Sequence, residues 1–159
     1  MKKRVLFVCL GNICRSPSAE AVFKRVVQKA GLSDEYEIDS AGTIAVHAGE
    51  AADARMQRHA RRRGYVLDSI SRKVNKAVDF DHFDYIVAMD DQNLSDLEVM
   101  AQNEEQRKKI SKMTDYCTRS AYSSVPDPYY GGDEGFELVL DLLEDAAEGL
   151  LQVIEKKTI

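Results

Sequence analysis

The chain has 159 residues, 44% of them hydrophobic, with 22 Lys and Arg set against 27 Asp and Glu for a formal charge of -5. That length and apolar content can build a substantial core and suit one domain over residues 1–159. The negative balance disfavours nonspecific attraction to nucleic acid or to an anionic membrane, so any anionic ligand needs a site made positive locally. The opening run Val5-Leu6-Phe7-Val8 is too short to span a bilayer and leads into Gly11-Asn12 rather than a cleavage pattern. Three cysteines do not make the framework of a small secreted domain. The spacing Cys9-x4-Cys14 is wider than a zinc hook, and Cys117, His47, His59 and His82 supply no second hook. The expectation is a reduced, cytoplasmic protein with no metal.

In chain order, residues 4–9 form a nearly continuous apolar run, the pattern of a strand buried on both faces of a parallel sheet. Gly11-Asn12 ends it, Ser16 is placed to cap a helix, and Pro17 suits that helix's first turn. Ala19, Val22, Phe23, Val26, Val27 and Ala30 then recur at helical spacing until Gly31. Residues 36–40 read as a second strand and residues 41–49 as a loop. A second helix is predicted over residues 53–63, with Arg61-Arg62-Arg63 as its solvated end. Residues 85–89 form the next buried strand, with Asp90-Asp91-Gln92-Asn93 as a turn at its end, where sites collect in such sheets. Residues 104–109 are polar and helical, residues 110–113 suit a short fourth strand, and residues 117–130 form a long loop. From Asp133 onward, Phe136, Val139, Leu140, Leu143, Ala147, Leu150, Leu151 and Ile154 mark one face of a long amphipathic helix. Strands alternating with helices give a three-layer α/β domain.

Cys9-Leu10-Gly11-Asn12-Ile13-Cys14-Arg15 sets one thiol, one guanidinium and a turn of backbone N–H groups at the mouth of a helix. Five residues between Cys9 and Arg15 let the chain curl around a tetrahedral phosphoryl group, with Gly11 allowing close approach and Asn12 tolerating positive φ. Helix-terminal amides and Arg15 favour a thiolate at Cys9, and the Arg15 fork can hold two phosphoryl oxygens. Leu10, Gly11, Asn12, Ile13, Cys14 and Arg15 are therefore the candidate phosphate cradle. Ser16 can also steady the sulfur, and Cys14 is either a small apolar filler or a disulfide partner protecting Cys9 from irreversible oxidation. A bare Cys-x5-Arg recurs by chance, but the strand before it and Ser-Pro after it make this one more specific; no lysine follows Gly11 as a nucleotide-binding loop requires. A leaving oxygen needs a proton, for which Asp127 is the candidate, with Tyr129 and Tyr130 as aromatic walls.

Val8 through Pro17 and Asp127-Pro128-Tyr129 closely resemble the low-molecular-weight protein tyrosine phosphatase family. Ser40-Ala41-Gly42-Thr43, Ser71-Arg72 and Ala88-Met89-Asp90 with Asn93 resemble its intermediate motifs, so the likeness covers nearly the whole chain. The resemblance implies an α/β/α fold whose four-stranded parallel sheet has the order 2-1-3-4. It implies Cys9 as nucleophile, Asp127 as acid and then base, and Asn12 with Ser40 as braces of a strained loop, with no cofactor. Phosphotyrosine proteins would be the substrates and inorganic phosphate the product; the oligomeric state, a weak homodimer included, stays open. Val46 departs from the pattern, standing where a bulky aromatic often borders the cleft, which leaves Tyr129 and Tyr130 to supply the stacking.

Three other readings are weighed. A thiol-dependent arsenate reductase needs relay cysteines, and only Cys14 and Cys117 are available, the latter in the long loop before Asp127. Phosphoarginine phosphatases resemble this loop but carry Thr where Ile13 stands. A noncatalytic phosphate-binding module would not need Cys9, Arg15 and Asp127 together.

Overall fold

The computed structural model describes residues 2–129 and 131–158. The elements are β1 (Lys3–Cys9), α1 (Arg15–Lys29), β2 (Tyr36–Gly42), α2 (Ala54–Arg62), α3 (Asp79–His82), β3 (Tyr85–Ala88), α4 (Asp91–Met100), α5 (Glu104–Lys108), β4 (Ile110–Lys112) and α6 (Asp133–Thr158), with short 3-10 turns at Ser33–Glu35 and Met113–Tyr116. The four strands form a parallel sheet in the order β2-β1-β3-β4. Among the described residues no helix is long and apolar enough to cross a membrane.

The apolar run of β1 is continuous because both of its faces are covered. Successive side chains point to opposite faces of a strand, so Val5, Phe7 and Cys9 enter one core while Leu6 and Val8 enter the other. The first core is filled by Val22 and Phe23 of α1, Met56 and Ala60 of α2, and Leu140, Leu143, Ala147 and Leu150 of α6. The second takes Phe80 of α3 and Leu97 of α4. Phe7 meets Phe23 edge-to-face, with ring centroids 5.5 Å apart, and full burial of one such side chain contributes about 1.5–3 kcal/mol. The three-layer arrangement and the strand order expected from the sequence are those observed.

Chain connections leave β1 toward β2 on one side and arrive at β3 on the other, so a crevice opens at the carboxyl ends of β1 and β3. Cys9 is the last residue of β1, and Asp90 lies two residues beyond β3. The long loop is tied across this end, with the Val125 N–H donating to the Met89 carbonyl at 2.8 Å.

Several local expectations change. Ser16 does not cap α1: the helix begins at Arg15 after Cys14, no side chain caps it, and the Ser16 hydroxyl turns toward Cys9 instead. Arg63 is not part of a solvated helix end, since α6 presents Glu137, Asp141 and Glu144 to its guanidinium. Asp90 to Asn93 form no free turn; Asp90 caps α4 by accepting from the Asn93 N–H. The one-turn helix α3 carries too few residues for a periodic signal.

Candidate active site

Between β1 and α1 the backbone wraps around the Cys9 sulfur. The Asn12 N–H points at Cys9 Sγ from 3.3 Å, and the Ser16 Oγ lies 3.0 Å away. The Ser16 oxygen accepts from Asn12 Nδ2 at 2.8 Å, so its own proton is shared between the sulfur at 3.0 Å and the more distant Ala41 carbonyl at 3.4 Å. Asn12 is the described non-glycine residue with positive φ, at 58°, a conformation costing on the order of 1–3 kcal/mol for an L residue. Its side chain holds it there: Nδ2 also donates to Ser40 Oγ at 3.0 Å, and Oδ1 accepts from the Arg72 N–H at 3.0 Å. Ser40 in turn donates to the buried Glu20 carboxylate at 2.7 Å. Ser71 Oγ braces the opposite side of the loop by donating to the Gly11 carbonyl at 2.9 Å. Gly42 is required beside it, because a Cβ there would sit 2.7 Å from the Leu10 carbonyl oxygen.

Arg15 is buried, with 3% of its side chain exposed, yet its guanidinium reaches the cavity floor. Nη1 donates to Asp90 Oδ2 at 2.6 Å and to the Val125 carbonyl at 3.0 Å. Burial disfavours its charge, but Cys9, Asp90 and Asp127 outweigh that and raise its pKa further above the ordinary arginine value. Nη2 faces Asp127 Oδ2 at 3.6 Å, and the Asp127 side chain is 35% exposed, open to a leaving group or to water. Cys14 is buried beneath the loop. Burial first, then Asp53 and the Cys9 sulfur, push its thiol well above the usual thiol range, so Cys14 stays protonated. Cys9, Leu10, Gly11, Ile13, Cys14, Arg15, Ile44, Val46, His47, Asp127 and Tyr129 surround one cavity of about 400 Å³. That volume suits one phosphorylated aromatic side chain.

The family model for low molecular weight phosphotyrosine protein phosphatases matches residues 4–159. The chain belongs to this family. A low molecular weight protein-tyrosine-phosphatase of Streptomyces coelicolor is 43% identical over 159 residues, covering 99% of this chain and 96% of its own. A crystal structure of a protein tyrosine phosphatase from Entamoeba histolytica superposes with a TM-score of 0.96 at 50% identity, covering 99% of this chain and 100% of that one. That of a Drosophila arginine phosphatase has a TM-score of 0.88 at 38% identity, covering 97% and 98%.

Within this family member, Cys9, Leu10, Gly11, Ile13, Cys14, Arg15, Val46, Asp127 and Tyr129, all expected from the sequence, line one crevice, whereas Asn12, Ser16 and Ser40 are buried and hydrogen-bonded to one another behind the loop; Tyr130 lies outside the described residues. Val46 is 65% exposed and forms, with Leu10 and Ile44, an aliphatic rim lower than an aromatic side chain would make. His47 is an unforeseen wall, its ring centroid 6.0 Å from that of Tyr129 and its Nδ1 3.2 Å from Glu50. Asp90 is legible in the sequence as a turn residue at a strand end and as part of a family-like motif, but without a partner; its second carboxylate oxygen on Arg15 depends on two segments 75 positions apart. Ser71-Arg72 carried a motif without a task, and the task is bracing the phosphate loop.

Proposed function

We propose that the chain hydrolyses phosphotyrosine in proteins, and small aryl phosphates, through a phosphate carried covalently on Cys9. The observation that carries this reading is the convergence of the Cys9 sulfur, the Arg15 guanidinium and the Asp127 carboxyl on one cavity. The Cys9 thiolate attacks phosphorus while Arg15 and the loop amides hold the nonbridging oxygens, more strongly as charge builds in the transition state. Asp127 gives its proton to the departing tyrosine oxygen as the P–O bond breaks. It then takes a proton from water as that water attacks the cysteinyl phosphate; the P–S bond breaks, the Ser16 hydroxyl steadies the leaving thiolate, and inorganic phosphate is released. Every step uses the chain's own side chains and amides, so turnover is expected to survive a chelator. Cys9 acts only while reduced, which favours a cytoplasmic setting; a Cys9 sulfenic acid would condense with the Cys14 thiol, releasing water, and a cellular dithiol or glutathione would reduce the resulting disulfide.

Rapid-quench sampling during turnover of p-nitrophenyl phosphate is expected to trap phosphate on sulfur, and Cys9→Ser is expected to abolish release while retaining the fold. Activity undiminished in Cys9→Ser would refute the assignment.

The likeness to the Drosophila arginine phosphatase favours a second substrate, phosphoarginine. Ile13, apolar and lining the cavity, and the Tyr129 ring argue for the aryl ester instead. Competition between phosphotyrosine and phosphoarginine peptides decides it, and the larger kcat/KM is expected for phosphotyrosine.

A further inference from the structure

Asp53 and Arg55 stand outside the reacting groups yet join the two halves of the site. The Asp53 N–H donates to the Ile13 carbonyl in the phosphate loop at 2.8 Å. Its carboxylate caps α2, accepting from the Arg55 and Met56 N–H groups, and grips the Arg55 guanidinium through both oxygens, Nε at 3.2 Å and Nη2 at 3.0 Å. Burial would raise the Asp53 pKa, but the guanidinium and the two amide donors outweigh it and keep the carboxylate charged.

Arg55 spends the rest of its fork across the cleft. Nη2 donates to the Tyr129 carbonyl at 2.9 Å, and the guanidinium lies 5.4 Å from the Tyr129 ring centroid and 5.1 Å from that of Phe136. Phe136 is buried in the first core at the start of α6, stacked on His59 of α2, so the cation is seated on a fixed surface. The Tyr129 N–H, on the same residue, donates to Asp127 Oδ1 at 3.0 Å. A single line of hydrogen bonds thus runs from Ile13 through Asp53, Arg55 and Tyr129 to Asp127. Arg55 is 39% exposed, and a surface ion pair alone would need no such two-ended geometry.

We infer that Arg55, held by Asp53, is a positioning residue that fixes where the Asp127 carboxyl stands relative to the phosphate loop. It touches no reacting atom and acts through the Tyr129 peptide. The inference rests on Asp127 being the proton donor, and its consequence is selective: substrates whose leaving oxygen needs a proton should feel the loss of Arg55, and those that leave unaided should not.

The experiment measures kcat/KM, which reports formation of the cysteinyl phosphate, for phenyl phosphate and 2,4-dinitrophenyl phosphate. Four forms are compared: the parent, Arg55→Ala, Asp127→Asn and the double variant. Arg55→Ala is expected to lose about 10- to 30-fold on phenyl phosphate and about 2-fold or less on the dinitrophenyl ester, the scale on which a misplaced catalytic group costs rate. In the Asp127→Asn background the same change should cost less than about 2-fold on either substrate, because the group it positions is gone. Equal losses on both esters, or full losses that add in the double variant, would overturn the inference. Arg55→Lys, which keeps the charge but reaches only one of the two partners, is expected to fall between parent and Ala and serves if Arg55→Ala does not fold. An Asp127→Asn enzyme with unchanged leaving-group dependence would instead overturn the assignment of Asp127 itself.

Discussion

Asn12 concentrates the local cost of the site. Its backbone takes a conformation that glycine adopts freely, but its amide supplies three of the bonds that hold the loop around Cys9. Two substitutions separate these contributions. Asn12→Gly keeps the dihedral and loses the bonds; Asn12→Ala loses both and should be less stable than Asn12→Gly by about 1 kcal/mol in denaturant unfolding. Both are expected to lower kcat/KM by an order of magnitude or more, since the Ser16 hydroxyl and the loop amides are no longer oriented toward the sulfur. Parent-like turnover in Asn12→Gly would mean that the backbone shape suffices without its side-chain braces.

The long loop that carries Asp127 is held by neighbouring elements rather than by secondary structure of its own. Asp145 of α6, 2% exposed, accepts from the N–H groups of Thr118, Arg119 and Ser120, and the loop's far end is tied to β3 through Val125. Burial alone would raise the Asp145 pKa, but those three amides outweigh it and hold the carboxyl far below the usual carboxylate range. A folded value depressed below the unfolded one, near 3.9, contributes stability that is present above about pH 4 and is lost as pH falls toward the folded value. Asp145→Ala should destabilise the protein by about 1–2 kcal/mol by removing the acceptor shared by three partly exposed loop amides. Amide exchange should rise first at residues 118–120, and the acid limb of the stability profile should flatten. An unchanged exchange pattern would show that the loop is anchored elsewhere.

Across the molecule, the first core depends on how closely α6 lies against the 3-10 turn at Met113–Tyr116. Gly149 of α6 faces the Tyr116 carbonyl so closely that a Cβ would run into the oxygen, which makes this glycine a spacing requirement rather than a helix choice. Helix propensity alone would favour Gly149→Ala by about 1 kcal/mol, yet the substitution should destabilise by about 1–3 kcal/mol through displacement of the turn or the helix. Thermal unfolding gives the sign directly, and a raised Tm would show that the contact relaxes without cost.

The sequence by itself determined the strand–loop–helix that carries Cys9 and Arg15 and the alternation of strands and helices, and it singled out Asp127 as the candidate proton carrier. These are local signals: an apolar run of period two or continuous burial, a turn rich in backbone donors, and reactive side chains at fixed spacing. Only the tertiary structure decided that Ser16 serves the sulfur instead of the helix end, that Asp90 reaches Arg15, that Arg63 is claimed by α6, and that Arg55 grips the Tyr129 peptide. The last three join segments more than 70 positions apart, while Ser16 turns back on its own loop; in each case a side chain with two possible partners takes whichever one packing brings within hydrogen-bonding distance.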